Sequence, residues 1–248
     1  MFCDIGWAWM MRRMRNIVIL TGAGISAESG LKTFRDNDGL WEQHAIEDVA
    51  TPQAFARDPA LVYRFYNARR AQLQQQAVKP NLAHHAVARL QKEWRQGTVT
   101  LVTQNVDDLH ERAGCSNVLH MHGELLSQRC CRSNQAVYCK EPFDATSRCQ
   151  CCDPPSPVRP DIVWFGEMPM HMDRIEKALY NADVFVAIGT SGQVYPAAGF
   201  VAMASQCGAH AVELNLKASD TNTLFDEHDY GPATVVVPRF VERMLKEN

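Results

Sequence analysis

One junction constrains this chain more than any other. The short apolar run Asn16-Ile17-Val18-Ile19-Leu20 has strand-like composition and feeds directly into Thr21-Gly22-Ala23-Gly24-Ile25-Ser26-Ala27-Glu28-Ser29-Gly30-Leu31-Lys32-Thr33-Phe34-Arg35. Glycines at 22, 24 and 30 leave backbone N–H groups unshielded by a Cβ, so such a loop can close on a phosphate. Gly22-x-Gly24-x-x-Ala27 fits the Gly/Ala form of the dinucleotide fingerprint. Alone it is unspecific, and a glycine-rich turn without a ligand is the alternative. The usual acidic residue ending a second strand, about 20 residues on, is missing. The chain continues instead through Asp36-Asn37-Asp38-Gly39-Leu40-Trp41, a polar and aromatic loop suited to covering a ligand.

Further apolar runs predict strands at Ile17–Leu20, Val99–Thr103, Ile162–Phe165, Val184–Ile188, Ala211–Leu214 and Thr234–Val237. Several lack alternation, as strands covered on both faces do. Asp58-Pro59 signals a helix running to about Val78, Asn81 one over Leu82–Trp94, and Pro238 one over Arg239–Lys246. This alternation predicts an α/β fold, a doubly wound parallel sheet of Rossmann-like type. We expect a tail over residues 1–15 and one domain over 16–248, interrupted at about 124–160 by a small stapled insert.

The net charge of −3 gives no general attraction to nucleic acid or anionic membrane, and neither partner is expected. The apolar amino end is too short for a bilayer, and Arg12, Arg13 and Arg15 follow it rather than precede it as in a secretory signal. A cytoplasmic, monomeric protein is expected, with Met10, Met11 and Met14 as alternative starts.

Of nine cysteines, Cys130, Cys131, Cys139, Cys149, Cys151 and Cys152 crowd into one short stretch. Cys3, Cys115 and Cys207 read as scattered small hydrophobes. Cys149-x-x-Cys152 is half of a zinc knuckle, and Cys130 lies upstream. Thiolates so spaced can close a structural tetrahedral Zn²⁺ site that stabilises a coreless insert. Ser133 stands where a second Cys-x-x-Cys would end, so a fourth ligand would be Cys131, Cys139 or Cys151. Reduced, unliganded thiols are the alternative.

Three more motifs sit after strand-like or loop segments: Thr103-Gln104-Asn105-Val106-Asp107, His120-Met121-His122-Gly123-Glu124 and Gly189-Thr190-Ser191-Gly192. Taken alone, Asn105 and Asp107 read equally as an Asx turn, and His120 or His122 as a hydrogen-bonded structural histidine. In this order, and with the cysteine insert, the chain resembles the sirtuins, NAD-dependent protein-lysine deacylases, from residue 16 onward. Gly24–Gly30, Phe65-Tyr66-Asn67-Ala68-Arg69-Arg70 and Val163-Trp164-Phe165-Gly166-Glu167 look most like the bacterial class III branch.

The resemblance implies NAD contacts over Gly22–Trp41, Gln104, Asn105, Val106, Asp107, Gly189, Thr190, Ser191, Asn215, Leu216, Lys217 and Ala233. It implies His122 as general base, Asn105 and Asp107 at the nicotinamide end, and Cys130, Cys149 and Cys152 on zinc. Tyr66 and Arg69, three apart on a predicted helix, would receive the carboxylate of a succinyl or malonyl group; a solvated helix face is the alternative. The implied substrates are proteins carrying succinyl-, malonyl- or acetyl-lysine, and the products free lysine, nicotinamide and 2′-O-acyl-ADP-ribose. An NAD-dependent mono-ADP-ribosyltransferase is the competing activity.

Overall fold

The computed structural model describes residues 16–32, 40–41 and 44–246. The expected tail over 1–15, with its alternative starts, lies outside them. From the amino end come β1 (Ile17–Thr21), a 3₁₀ segment (Ala23–Ser29), β2 (Leu40–Trp41) and β3 (His44–Ala45). Helices α1 (Ile46–Val49), α2 (Pro52–Arg57), α3 (Pro59–Leu73) and α4 (Leu82–Glu93) follow, then β4 (Val99–Thr103) and α5 (Leu109–Ala113). Next are β5 (Leu119–His120), β6 (Gly123–Cys130), β7 (Ala136–Tyr138), β8 (Val158–Ile162) and α6 (Met172–Tyr180). The chain closes with β9 (Val184–Ile188), α7 (Phe200–Gln206), β10 (His210–Asn215), β11 (Glu227–Tyr230) and α8 (Ala233–Lys246).

Six strands form a parallel sheet in the order β11-β10-β9-β1-β4-β5. Strand β1 shows why its run of apolar residues is unbroken. Ile17 and Ile19 pack with α4 and α8 on one face, while Val18 and Leu20 pack with α6 and α7 on the other. The fold is the expected doubly wound α/β sheet. The chain leaves β1 toward β4 on one side and later fills β9, β10 and β11 on the other, so a crevice opens beyond the carboxyl end of β1.

The helix signals act as capping chemistry predicts. The Asp58 carboxylate accepts the Leu61 N–H at 2.9 Å with Pro59 at the first helical position, and the Asn81 side chain accepts the Ala83 N–H at 2.9 Å. Helix α3 stops at Leu73, short of the expected Val78.

Two predicted strands are different elements. Thr234–Val237 lies inside helix α8, with Pro238 in its interior. Val236, Val237, Phe240, Val241 and Met244 are its buried residues, a helical spacing that overrides the strand preference of a β-branched run. Glu28 caps this helix from the far end of the chain, its two carboxylate oxygens accepting the Thr234 N–H at 3.0 Å and Oγ1–H at 2.7 Å. Only Ile162 of the predicted Ile162–Phe165 strand is extended in a sheet, and that sheet is a separate three-stranded antiparallel one, β7-β6-β8. Its partner is β6, which starts at Gly123 just after β5 and runs antiparallel to β8, so this segment lies outside the parallel layer. The edge strands β5 and β11 escaped prediction, the first for its length and the second for its polar sequence Glu-His-Asp-Tyr.

Candidate active site

Strand register brings the polar loops together. Thr21 pairs with Thr103 on one side and Ile188 on the other, so the loops after β1, β4 and β9 emerge side by side. Gly22 N–H donates to Ile188 O, Gln104 N–H to Thr21 O, and Gly24 N–H to Gly189 O, each at 2.9 Å. A Cβ on Gly189, which sits at φ +62°, would lie 2.5 Å from Ile25 N and 2.7 Å from Gly24 C. The contact requires glycine on conformation and on space.

These loops border one cleft of about 910 Å³. Its lining includes Gly22, Ala23, Gly24, Ser26, Ala27, Glu28, Leu31 and Lys32; Gln104, Asn105, Val106 and Asp107; Gly189, Thr190 and Ser191; and Asn215, Leu216, Lys217 and Ala233. Three members of the predicted glycine stretch do other work. Ile25 is in the core, the Ser29 hydroxyl accepts from Asn81, and Gly30 ends the 3₁₀ segment at φ +88°. Thr33, Phe34, Arg35, Asp36, Asn37, Asp38 and Gly39 lie outside the described residues, and Leu40 and Trp41 form β2.

At the inner wall, a buried polar network has a fixed direction. His84 Nδ1 accepts the Asn81 N–H at 3.3 Å, which leaves the proton on Nε2, 3.4 Å from Ser26 Oγ. Ser26 Oγ also accepts from Asn105 Nδ2 at 3.2 Å and donates to Asp107 Oδ2 at 3.0 Å. Burial raises the Asp107 carboxyl to about 6, against the lowering pull of the Leu109 N–H and the Ser26 hydroxyl. Burial also lowers His84 to about 4, so its ring is neutral near pH 7. Asn105 and Asp107 therefore do more than turn the chain.

The two histidines part company. His122 lines the cleft, and its Nδ1 donates to Gln104 O at 3.0 Å, leaving the Nε2 lone pair as its basic site. Burial lowers its pKa, with the Gln104 carbonyl opposing. His120 does not line the cleft; its Nε2 meets Glu111 at 2.8 Å and its Nδ1 meets Asn105 O at 3.2 Å. Although burial opposes its charge, Glu111 and Glu124 raise its pKa overall. His122 is held between the sheets. Met121 N–H donates to Thr103 O at 3.0 Å and Val163 N–H to His122 O at 2.9 Å. Gly123 follows at φ +83°, where a Cβ would fall 2.1 Å from Asp161 O.

Tyr66 and Arg69 reach the cleft from helix α3. The solvated-face alternative fails here: Tyr66 and Arg70 are fully buried, and the Arg69 guanidinium carbon lies 4.7 Å from the Phe65 ring centre. Sequence reasoning missed Ala50 and the contact of Trp164 with Tyr66, both at this end of the cleft. The Trp-Phe-Gly-Glu motif was visible, but its partner across the fold was not.

At the end of β6 and in the segment between β7 and β8, Cys130, Cys149, Cys151 and Cys152 bring their Sγ atoms within 4.8 Å of one another. Cys130–Cys152 is 3.7 Å and Cys151–Cys152 is 3.8 Å. A tetrahedral zinc–thiolate site, with bonds near 2.3 Å, has sulfur–sulfur edges of about 3.8 Å, so these donors fit Zn²⁺. Of the three alternatives for the fourth position, Cys151 is the one in the cluster; Ser133 Oγ stands 3.1 Å from its sulfur.

A family model described as Sir2 family matches residues 22–196. The chain is 58% identical over 231 residues to an NAD-dependent protein deacylase of Vibrio parahaemolyticus, covering 93% of this chain and 95% of the other. It is 59% identical over 230 residues to one of Shigella flexneri, covering 93% and 84%. Among solved structures, a Sir2 homolog–NAD complex superposes with a TM-score of 0.85 at 38% identity, covering 98% of this chain and 94% of the other. A mutant Sir2 homologue bound to ADP-ribose gives 0.87 at 37% identity, covering 98% and 97%. On sequence, fold and the arrangement of its cleft, this chain belongs to the Sir2 family.

Proposed function

We propose that this protein is an NAD-dependent protein-lysine deacylase that removes succinyl, malonyl and acetyl groups and yields nicotinamide and 2′-O-acyl-ADP-ribose. The observation that carries this reading is convergence: the glycine loop, Asn105, Asp107, His122, Tyr66 and Arg69 all border a single cleft. Residues 16–248 form the deacylase domain in this reading, with the insert at about 124–160, and the protein acts in the cytoplasm as a monomer.

NAD fits the donor set. Gly22 and Gly24 spend their own N–H groups on Ile188 O and Gly189 O, so what suits a diphosphate is the close approach their missing Cβ atoms allow at the start of the 3₁₀ segment. Asn215 and Lys217 border the far part of the cleft, and Asn105 and Asp107 suit a carboxamide. When bound, NAD supplies an activated ribose carbon on loss of nicotinamide, to which the acyl oxygen can bond. Asn105 and Asp107, fixed through Ser26 and His84, orient the nicotinamide end. Gln104 holds the ribose, while its carbonyl fixes the His122 tautomer. His122, neutral at pH 7, takes a proton on Nε2 from a ribose hydroxyl.

Arg69 and Tyr66 receive the carboxylate of an acidic acyl chain, and Ala50 leaves room beside them. Acetyl-lysine leaves that receptor empty and is still turned over. Cys130, Cys149, Cys151 and Cys152 hold one structural Zn²⁺.

The deciding experiment offers one peptide in parallel as its acetyl-, malonyl- and succinyl-lysine forms, with NAD, and identifies products by mass spectrometry. Free lysine peptide with 2′-O-acyl-ADP-ribose supports the reading. ADP-ribosylated protein without deacylation would establish the transferase instead.

A further inference from the structure

We propose that Trp164 is a specificity-positioning residue: by fixing the Tyr66 hydroxyl, it sets how strongly an acidic acyl chain is preferred over a neutral one. The inference rests on the reading of Tyr66 and Arg69 as carboxylate partners.

The geometry is directional. An indole N–H can only donate, so the 3.0 Å contact from Trp164 Nε1 to Tyr66 Oη makes the phenol oxygen the acceptor. A phenol proton keeps close to the ring plane, with two positions available. A donor on one side of the oxygen settles the proton on the other, and Tyr66 becomes a donor of fixed direction at the cleft wall. Burial raises the Tyr66 pKa, which keeps that proton in place at neutral pH.

The indole is itself clamped. The Arg159 guanidinium carbon lies 3.5 Å from the Trp164 ring centre. Arg159 grips both Glu167 oxygens, at 2.6 and 2.8 Å. Glu167 Oε2 also accepts the Trp164 backbone N–H at 2.8 Å, and its own N–H donates to Trp164 O at 2.9 Å. The Phe55 ring centre lies 5.2 Å from that of Trp164, the two planes tilted by 42°. A tryptophan present only as filler would need none of this orientation; an indole N–H aimed at one phenol oxygen does.

The test compares kcat/KM for succinyl- and acetyl-lysine forms of one peptide in Trp164→Phe, Tyr66→Phe, the double variant and Arg69→Met. Trp164→Phe should lower succinyl turnover about threefold to tenfold while acetyl turnover and the KM for NAD stay within about twofold. The double variant should match Tyr66→Phe alone, because the indole acts through that hydroxyl. Equal losses on both acyl groups, or additive losses in the double variant, overturn the proposal. If Arg69→Met leaves the succinyl-to-acetyl ratio unchanged, the carboxylate reading falls with it. If Arg69→Met shifts the ratio and Trp164→Phe does not, only the role of Trp164 falls. Should Trp164→Phe not fold, Glu167→Gln loosens the clamp instead; the same ratio shift supports the proposal and an unmoved ratio refutes it.

Discussion

The two ends of the cleft are built by different means. At the Asn105–Asp107 end, loops leave three neighbouring parallel strands, and their backbones bond one another directly before any side chain is considered. At the Tyr66–Arg69 end, the wall is one helix face and one turn, joined by a side-chain bond across the fold. The first end is a product of sheet topology, so changing it disturbs folding and chemistry together. The second hangs on side chains, so the acyl group admitted can change while the sheet stays as it is.

The contrast can be broken, and most sharply at the junction of the ends. His122→Phe should cut turnover of every acyl form by about 10²- to 10⁴-fold with the fold intact by circular dichroism. Undiminished activity would remove the mechanism. At the topological end, Gly189→Ala should cost about 2–4 kcal/mol from positive φ and overpacking, seen as a clear fall in Tm and in NAD binding together. A variant as stable as the parent would contradict the close approach of Gly24 and Gly189.

At the side-chain end, Arg69→Met should lose about 1.5–3 kcal/mol of transition-state binding for succinyl-lysine, roughly ten- to a hundredfold, and spare acetyl-lysine. Equal losses on both substrates would defeat the assignment. Smaller still, Cys151→Ser should lower bound zinc and Tm, whereas Cys131→Ser should not; metal analysis and calorimetry check both. Finally, because burial lowers the His122 pKa, the acid limb of kcat/KM should lie below the ordinary histidine value near ~6.5. The neutral base is present above its pKa and lost as pH falls through it. A limb at or above that value goes against the burial argument, and Asp107, raised to about 6, titrates in the same region.

The same contrast explains what could be read without a structure. The topological end was legible because glycine spacing and unbroken apolar runs are local signals. Register then did the rest, setting Thr21 beside Thr103 and Ile188. Residue chemistry alone did not separate His120 from His122, and the family resemblance named His122; what separates them physically is which carbonyl and carboxylate each meets. The Trp164–Tyr66 bond, which joins residues 98 positions apart, was not legible. Cys151 looked no better than Cys131 until the turn over residues 149–152 folded it against Cys152. Thr234–Val237 misled because its β-branched composition speaks locally for a strand, while its partners α4 and the sheet select a helical face.

His122 sits where two bodies are stitched: the residue before it is bonded to the large sheet, and its own carbonyl to the segment leaving the small one. The imidazole therefore rides on a seam. Because β6 begins one residue after His122 and the Val163 N–H holds its carbonyl, a tilt of the cysteine-bearing lobe against the large sheet would carry the base with it, together with Leu125 and Ile162 of the same cleft wall.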